Sequence, residues 1–322
     1  MRPSLFTHTP CVSPRRTSAL QAHADYLDFN ALTLADLPDV MPMLRQSPWR
    51  TCDFTAGGMM MWIDYFRYTF CVRGGTLFVK GVAEDDVTLP AFSLPVGAMP
   101  VEQSVALIRD HCRANGIEAR LSAVPEEALP LLGRMNPRSV TELTDWADYV
   151  YDAASLASLS GKKLNKKRNH VNRFTTDNPG YTFVPLDASN ISAVRRFHDS
   201  LPLAAGKPVM AEYERMQVSR VLGNPSAYPF EGAVLSVPER GVVAFTLGEV
   251  AGDTLHVHIE KMDHTVAGAG ETVNRLFAEM MTRRYPGIRF INRQDDAGDP
   301  GLRRAKESYH PIRLLRKYNV VL

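Results

Sequence analysis

The segment DTLHVHIEKMD, residues 253–263, gathers side chains that can do chemistry on what reads as one strand. Alternation places Leu255, Val257, Ile259 and Lys261 on one face, and His256, His258 and Glu260 on the other. Two imidazoles and a carboxylate at i, i+2 and i+4 are donors a metal can use, but no second His or Asp cluster offers the further ligand, so no metal is expected. The other reading is a polar cavity wall, with Glu260 as general base or as ligand to a substrate amine. Its plain counterpart is a glutamate neutralised by a neighbouring Lys or Arg.

Downstream, INRQDDAGDPGLRRAKESYHP crowds Asn292, Arg293, Asp295 and Asp296 ahead of a helix that starts at Asp299-Pro300, with Asp as N-cap and Pro in the first turn. Leu302, Ala305, Lys306 and Tyr309 share one face of that helix, so Lys306 lies beside the apolar stripe and must either snorkel or meet an anion. Tyr309 can protonate a leaving group or pack with its hydroxyl satisfied locally. In HTVAGAGETVNRLF, Gly268 and Gly270 precede a helix, where free N–H groups can bind phosphate or the glycines simply form a turn. The segment GKKLNKKRNHVNRF puts Leu164, Val171 and Phe174 on one helical face while Lys162, Lys163, Lys166, Lys167, Arg168 and Arg173 fan over the rest. That surface suits a phosphate-rich partner, or serves as a solvated face.

These residues need a frame, and the sequence predicts one. A helix is expected over LTLADLPDVMPMLRQSP, with Leu37, Val40, Met41 and Leu44 inward, and a hairpin around Gly74-Gly75. A helix running to Gly116, a strand EARLSAV and a helix EEALPLLGRM follow. In the second half, WADYVYD is a strand, the basic helix comes next, and YTFVPLD is a strand. Helices ISAVRRFHDSLP and AEYERMQVSRVLG lead into the strands GAVLSVP, GVVAFTLGEV and DTLHVHIEKM. The helix ETVNRLFAEMMTRRY, the strand GIRFINR, a short helix and one closing strand, IRLLRKYNVVL, complete the order. Antiparallel strands with interspersed helices predict a mixed α and β architecture with strand-end loops free to build a site.

At 322 residues and 45% hydrophobic content the chain can form two domains or one large one. A net charge of +2 does not announce a nucleic-acid binder, so an anionic partner has to be met by local patches. The basic segment is one patch. The other is the C-terminal run with Arg303, Arg304, Lys306, Arg313, Arg316 and Lys317. Cys11, Cys52, Cys71 and Cys112 are scattered and read as reduced packing thiols. No run approaches the ~20 apolar residues of a membrane span, so a cytoplasmic protein is expected, with peripheral contact through its basic patches open.

SGKKLNKKRNHVNRF, HIEKMD with the following glycine and ETVNRLFAEM, FINRQDDAGDPGLRRAKESYHP with the closing LLRKY, and SPWRTCDFTAGGMMMWIDYFRYTF together resemble a bacterial family related to the C-terminal catalytic domain of phosphatidylglycerol lysyltransferases. The resemblance runs from about residue 27 onward. It implies an α+β fold of two tandem GNAT-like domains, each a mostly antiparallel sheet flanked by helices: 27–150, and 151–322 with the better-formed cleft, after a disordered or loosely attached tail at 1–26. The lysyltransferases pass an aminoacyl group from charged tRNA to the phosphatidylglycerol head group. Lys306, in AKESYHP, stands where they carry a lysine, which implies a role against the tRNA 3′ end or a lipid phosphate. They have a D-L-M-R-type strand where this chain has HIEKMD, and a membrane-embedded half with no counterpart in this sequence. GNAT acetyltransferases also hold the coenzyme A pyrophosphate in a Q/R-x-x-G-x-G/A loop, which Thr265 to Gly270 matches in its glycines but not in its leading residue.

The expected activity is therefore acyl-group transfer, an aminoacyl group passing from charged tRNA to an amine or hydroxyl acceptor, a lipid among the candidates. Glu260 would take the acceptor proton, with Lys306 and Tyr309 as further catalytic residues. Lys162, Lys163, Lys166, Lys167, Arg168, Gly268 and Gly270 would hold donor phosphates, and His258, Lys261, Asn292, Arg293, Asp295 and Asp296 would line the cleft. No cofactor is expected to bind tightly; aminoacyl-tRNA or acyl-coenzyme A is the co-substrate. Coenzyme A-dependent N-acyltransfer to a small amine, and a non-catalytic protein gripping RNA or anionic lipid on a degenerate transferase fold, are the alternatives.

Overall fold

Two sheets organise the chain, which in the computed structural model is described for residues 27–203 and 208–322. The expected tail at 1–26, with Cys11, lies outside the described residues. The first half supplies β1 (Asn30–Ala31), β2 (Thr69–Arg73), β3 (Thr76–Val82), β4 (Pro90–Phe92), β5 (Val96–Gly97), β6 (Arg120–Pro125) and β7 (Ser139–Glu142). Among them run the helices α1 (Leu37–Leu44), α2 (Ala56–Trp62), α3 (Val101–Asn115) and α4 (Leu129–Gly133). The second half supplies β8 (Asp148–Asp152), β9 (Thr182–Pro185), β10 (Glu231–Val237), β11 (Gly241–Ala251), β12 (Thr254–Met262), β13 (Phe290–Asn292), β14 (Arg313–Leu315) and β15 (Lys317–Val321). Its helices are α5 (Ala153–Ser158), α6 (Asn165–Asp177), α7 (Ile191–Ser200), α8 (Pro208–Gly223), α9 (Ala269–Arg284) and α10 (Pro300–Glu307).

The first sheet has the order β1-β2-β3-β4-β6-β15-β7, with β5 beside β3, and the second runs β14-β8-β13-β12-β11-β10-β9. Each is antiparallel except at one central junction, β4 with β6 and β12 with β13. The expected closing strand is in fact two strands. β14 pairs with β8 in the second sheet, whereas β15, one residue later, inserts between β6 and β7 of the first. A division between residues 150 and 151 therefore falls inside β8, and residues 317–321 belong with the earlier half. The two halves share more than a linker, since Met61 of α2 is buried in the same apolar cluster as Val218 of α8 and Phe245 of β11.

Both faces of the second sheet are covered. Leu255, Val257, Phe277 and Met281 form a core under α5 and α9, and Val194, Val218, Phe245 and Ile259 form one under α7 and α8. α6 buries Val171 and Phe174, with Leu164 just before it, as the helical stripe predicts; burial at ~1.5–3 kcal/mol per side chain holds down an otherwise cationic segment. The turn before α9 meets α6 so closely that a Cβ on Gly268 would lie 2.4 Å from the His170 carbonyl oxygen, and Gly268 has φ +78°. Only glycine suits both conditions. Met41, expected inward on α1, is only partly buried, and Met43 takes the buried place with Leu37, Val40 and Leu44.

Candidate functional site at the strand splay

β12 and β13 pair only through Thr254–His256 and Phe290–Asn292, so beyond His256 the two parallel strands part. In that stretch Leu247 of β11 faces Ile259 while Gly248 faces Val257, which leaves His258 as the extra residue of a β-bulge. The bulge changes which face each side chain takes. Leu255 and Val257 pack under α9, but Ile259 packs on the α7 and α8 side, and Lys261 pairs with Glu214 of α8 at 2.7 Å. Glu260 consequently turns under α9, where Asn274 Nδ2 donates to it at 3.1 Å and Arg293 Nη2 at 2.8 Å. His258 points the other way, 2.7 Å from Gln294 Nε2 and 3.5 Å from Glu249. The expected shared face of His256, His258 and Glu260 is thus overturned, and with it their use as one ligand set. Burial keeps His256 neutral, its pKa lowered to about 4.

Under α9 the splay opens into a group of interlocked charges and rings. Lys167 Nζ lies 3.2 Å from Glu271 and 4.2 Å from the centre of the Tyr309 ring, and the Arg293 guanidinium sits 4.8 Å from the same ring. Burial opposes the charge on Arg293, but its neighbours together, the Glu260 carboxylate foremost, outweigh it and hold the guanidinium above its usual pKa. Burial also raises the Tyr309 phenol, which stays protonated. Arg293 Nη1 and Asn274 Oδ1 are buried with no hydrogen-bond partner among the described residues, so the site retains a charged donor and an acceptor. Glu260, Arg293, Tyr309 and Lys167 were each legible as candidates. Glu271, Asn274 and Tyr151, whose ring stands 5.9 Å from Arg293, were not.

Lys306 has a different task. Its ammonium donates to the carbonyls of Arg293 (2.7 Å), Gln294 (3.1 Å) and Asp295. An ammonium has three N–H donors, so this fastens the strand-end loop, in which Gln294 has φ +59°, and leaves none for a phosphate. Lys162, Lys163 and Lys166 are exposed, while Arg168 is tied to the Leu159 carbonyl at 2.7 Å and to Asn165. The second expected cationic patch is largely neutralised: Arg303 bonds Asp145 and Asp296 at 2.8 Å, Arg313 bonds Glu127 at 2.6 Å, and Arg316 faces Glu126 and Glu142.

Its last member, Lys317, is buried at 1% exposure where β15 enters the first sheet. Its ammonium lies 2.9 Å from Asp53, 2.9 Å from Asp148 and 3.9 Å from Asp295. Asp148 also accepts from Cys52 N at 2.7 Å and from Asn292 Nδ2 at 2.8 Å. Cys52, Asp148 and Asp295 could converge on an ion within 4.8 Å of one another, but the Lys317 ammonium already stands among them. Burial raises Asp295 to about 6, opposed by Lys317. A carboxyl with its folded pKa above the unfolded value favours folding as the pH drops from 6 towards 4 and opposes it above 6. Asp295→Asn is therefore expected to stabilise the protein at pH 8, by up to ~2–3 kcal/mol, and to lose that advantage by pH 4. Urea melts at the two pH values test this, and a gain independent of pH would contradict it.

Two cavities border these groups. One of about 290 Å³ lies between the halves, but its carboxylates are engaged: Glu231 with Arg284 and Tyr285, Glu249 with the N–H groups of Ala56 and Gly57. The other, about 60 Å³, is bounded by Asp53, Glu84, Gln294 and Asp295 and by aromatic rings from the first half.

Two mixed sheets in tandem, each with one central parallel junction and flanking helices, give the α+β arrangement that the sequence predicts. The chain belongs to the family described as phosphatidylglycerol lysyltransferase, C-terminal, whose model matches residues 45–321. A protein of unknown function from Bacteroides thetaiotaomicron is 28% identical, with a TM-score of 0.81 over 92% of this chain and 99% of its own. L-PGS from Bacillus licheniformis is 16% identical, with a TM-score of 0.58 over 88% and 91% of the two chains. FemX is 9% identical, with a TM-score of 0.57 over 92% and 98%. No curated protein matches the sequence. Among the described residues no helix is long and apolar enough to cross a membrane.

Proposed function

We propose that this protein transfers an aminoacyl group from charged tRNA to an amine or hydroxyl acceptor, with the chemistry at the splay between β12 and β13. The observation that carries this reading is Arg293 Nη1, a buried, charged donor beside Glu260 with no hydrogen-bond partner among the described residues. It can meet the ester carbonyl as negative charge develops there, or a donor phosphate, while Glu260 takes the proton lost by the attacking acceptor. The new bond joins the acceptor to the carbonyl carbon, and the ester oxygen of the tRNA leaves. Exposed Lys162, Lys163 and Lys166, with Lys167 at the mouth, supply a track for a polyanion. The family's description, phosphatidylglycerol lysyltransferase, supports the same class of reaction.

Acyl-coenzyme A is the second reading, favoured by Gly268 just before α9; Gly270, expected to precede the helix, lies in its first turn, where the first N–H groups have no intrahelical acceptor. Against it, the α6 backbone lies directly on Gly268, where a pyrophosphate would need to approach. The test is binding of charged tRNA to wild type and to Lys166→Glu/Lys167→Glu over a salt series. The double variant is expected to bind at least about tenfold more weakly, with a salt slope reduced by roughly one to two units. Unchanged tRNA affinity, or saturable binding of acyl-coenzyme A alone, would overturn the proposal.

A further inference from the structure

Beyond Asn292, the last residue of β13 to pair with β12, the main chain turns sharply: Gln294 is left-handed at φ +59°, and Ala297 again at φ +47°. A residue with a Cβ keeps that conformation only where its surroundings impose it. The turn sends two neighbouring side chains to opposite sides of the splay, Arg293 to Glu260 under α9 and Gln294 to His258. β8 holds one flank of this turn, since Arg293 N donates to the Tyr149 carbonyl at 3.0 Å and Tyr149 N to the Gln294 carbonyl at 3.1 Å. Lys306 holds the other. Its ammonium closes on three consecutive carbonyls, those of Arg293, Gln294 and Asp295. Its own main-chain carbonyl accepts from Tyr151 Oη at 2.8 Å, which ties α10 back to β8.

We propose that Lys306 is a positioning residue for transfer: it fixes where the Arg293 guanidinium stands, sets the rate through it, and does not touch the donor. This rests on the transferase reading, in which Arg293 meets the reacting carbonyl. A lysine that grips a phosphate gives its N–H donors to the ligand and so governs affinity and its salt dependence. Lys306 gives all three to the turn that carries Arg293, and an ammonium has no fourth. Without it the carbonyl of Arg293 loses its anchor while the Tyr149 contact at the amide remains, so the residue can swing about one end. A displacement of about 1 Å in a reacting group is enough to lower a rate roughly 10²-fold.

The experiment is a double-mutant cycle on the full chain, read with charged tRNA. Lys306→Met is expected to lower the single-turnover rate by about 10²-fold while tRNA affinity and its salt slope stay at wild-type values; a phosphate ligand would instead weaken binding and reduce the slope by roughly one unit. Arg293→Met should lose at least as much rate, and adding Lys306→Met to it should change the rate by no more than about twofold, since a residue acting through Arg293 then has nothing to position. Lys306→Gln keeps two of the three N–H donors and should show a smaller loss of the same kind, which serves if the methionine variant does not fold. A second readout needs no donor: NMR of isotope-labelled arginine side chains, in which the ion-paired Arg293 guanidinium is identified by its absence from Arg293→Met. Its resonances should broaden or shift in the Lys306 variants. Weaker tRNA binding with the rate at saturation intact, rate losses that multiply in the double variant, or unaltered Arg293 resonances would overturn the proposal. If wild type binds no charged tRNA, the transferase reading falls, and the resonances still decide whether Lys306 holds Arg293 in place.

Discussion

Lys317→Met is expected to destabilise the protein by about 3–5 kcal/mol near neutral pH, the usual cost of removing one partner from a buried ionic cluster. The side chain is 1% exposed, and two carboxylates lie 2.9 Å from its ammonium. Burial alone would discharge it, but Asp148 and then Asp53 outweigh burial and hold its pKa well above that of a free lysine. In return the cluster keeps Asp148 ionised: burial pushes that carboxyl up, Lys317 pulls it down, and the net shift is downward. Its contribution is therefore present above the ordinary carboxylate pKa and lost as the pH falls through the lowered folded value. Methionine matches the stem but strands the acids. Equilibrium urea unfolding measures the loss, and adding Asp148→Asn should recover part of it. A single-variant loss under about 1 kcal/mol would mean that the cluster behaves like a surface ion pair.

Glu260→Gln is expected to lower kcat by roughly 10²–10⁴ while donor affinity stays near wild type, the range for loss of a positioned general base. The amide oxygen can still accept from Arg293, and the NH2 that replaces Oε2 can donate to Asn274 Oδ1 once that amide turns over, so geometry is largely preserved while basicity is gone. Steady-state and single-turnover rates with charged tRNA are the measurement. A non-catalytic binding protein on the same fold would show no turnover to lose. An unchanged kcat in an active protein would remove Glu260 from the proton path and leave it as the counter-ion of Arg293.

What could be read from the sequence follows the range of the physics. The hairpin at Gly74-Gly75, the burial of Leu164, Val171 and Phe174, and the Asp299 cap, which accepts from Leu302 N at 2.8 Å, depend on neighbours a few residues apart. The faces of β12 were misassigned because a bulge is a property of a strand pair. A signal was present in Gly248, where a Cβ would lie 2.8 Å from the His256 carbonyl oxygen, since glycine inside a strand marks such places. Lys306 read as a ligand for anions, but carbonyl oxygens from a tight loop satisfied it first. The Lys317 cluster was out of reach, because Asp53, Asp148 and Lys317 meet only after both sheets have formed.

The place of β15 bears on how the chain folds as it is made. Until residues 317–321 leave the ribosome, the slot between β6 and β7 is empty and both strands expose unpaired edges. The earlier half must therefore wait until the second half has been synthesised, and a nascent fragment ending near residue 150 would be a substrate for chaperones rather than a finished domain. Supplying a peptide of residues 313–322 to such a fragment in trans would reveal whether that one strand completes it.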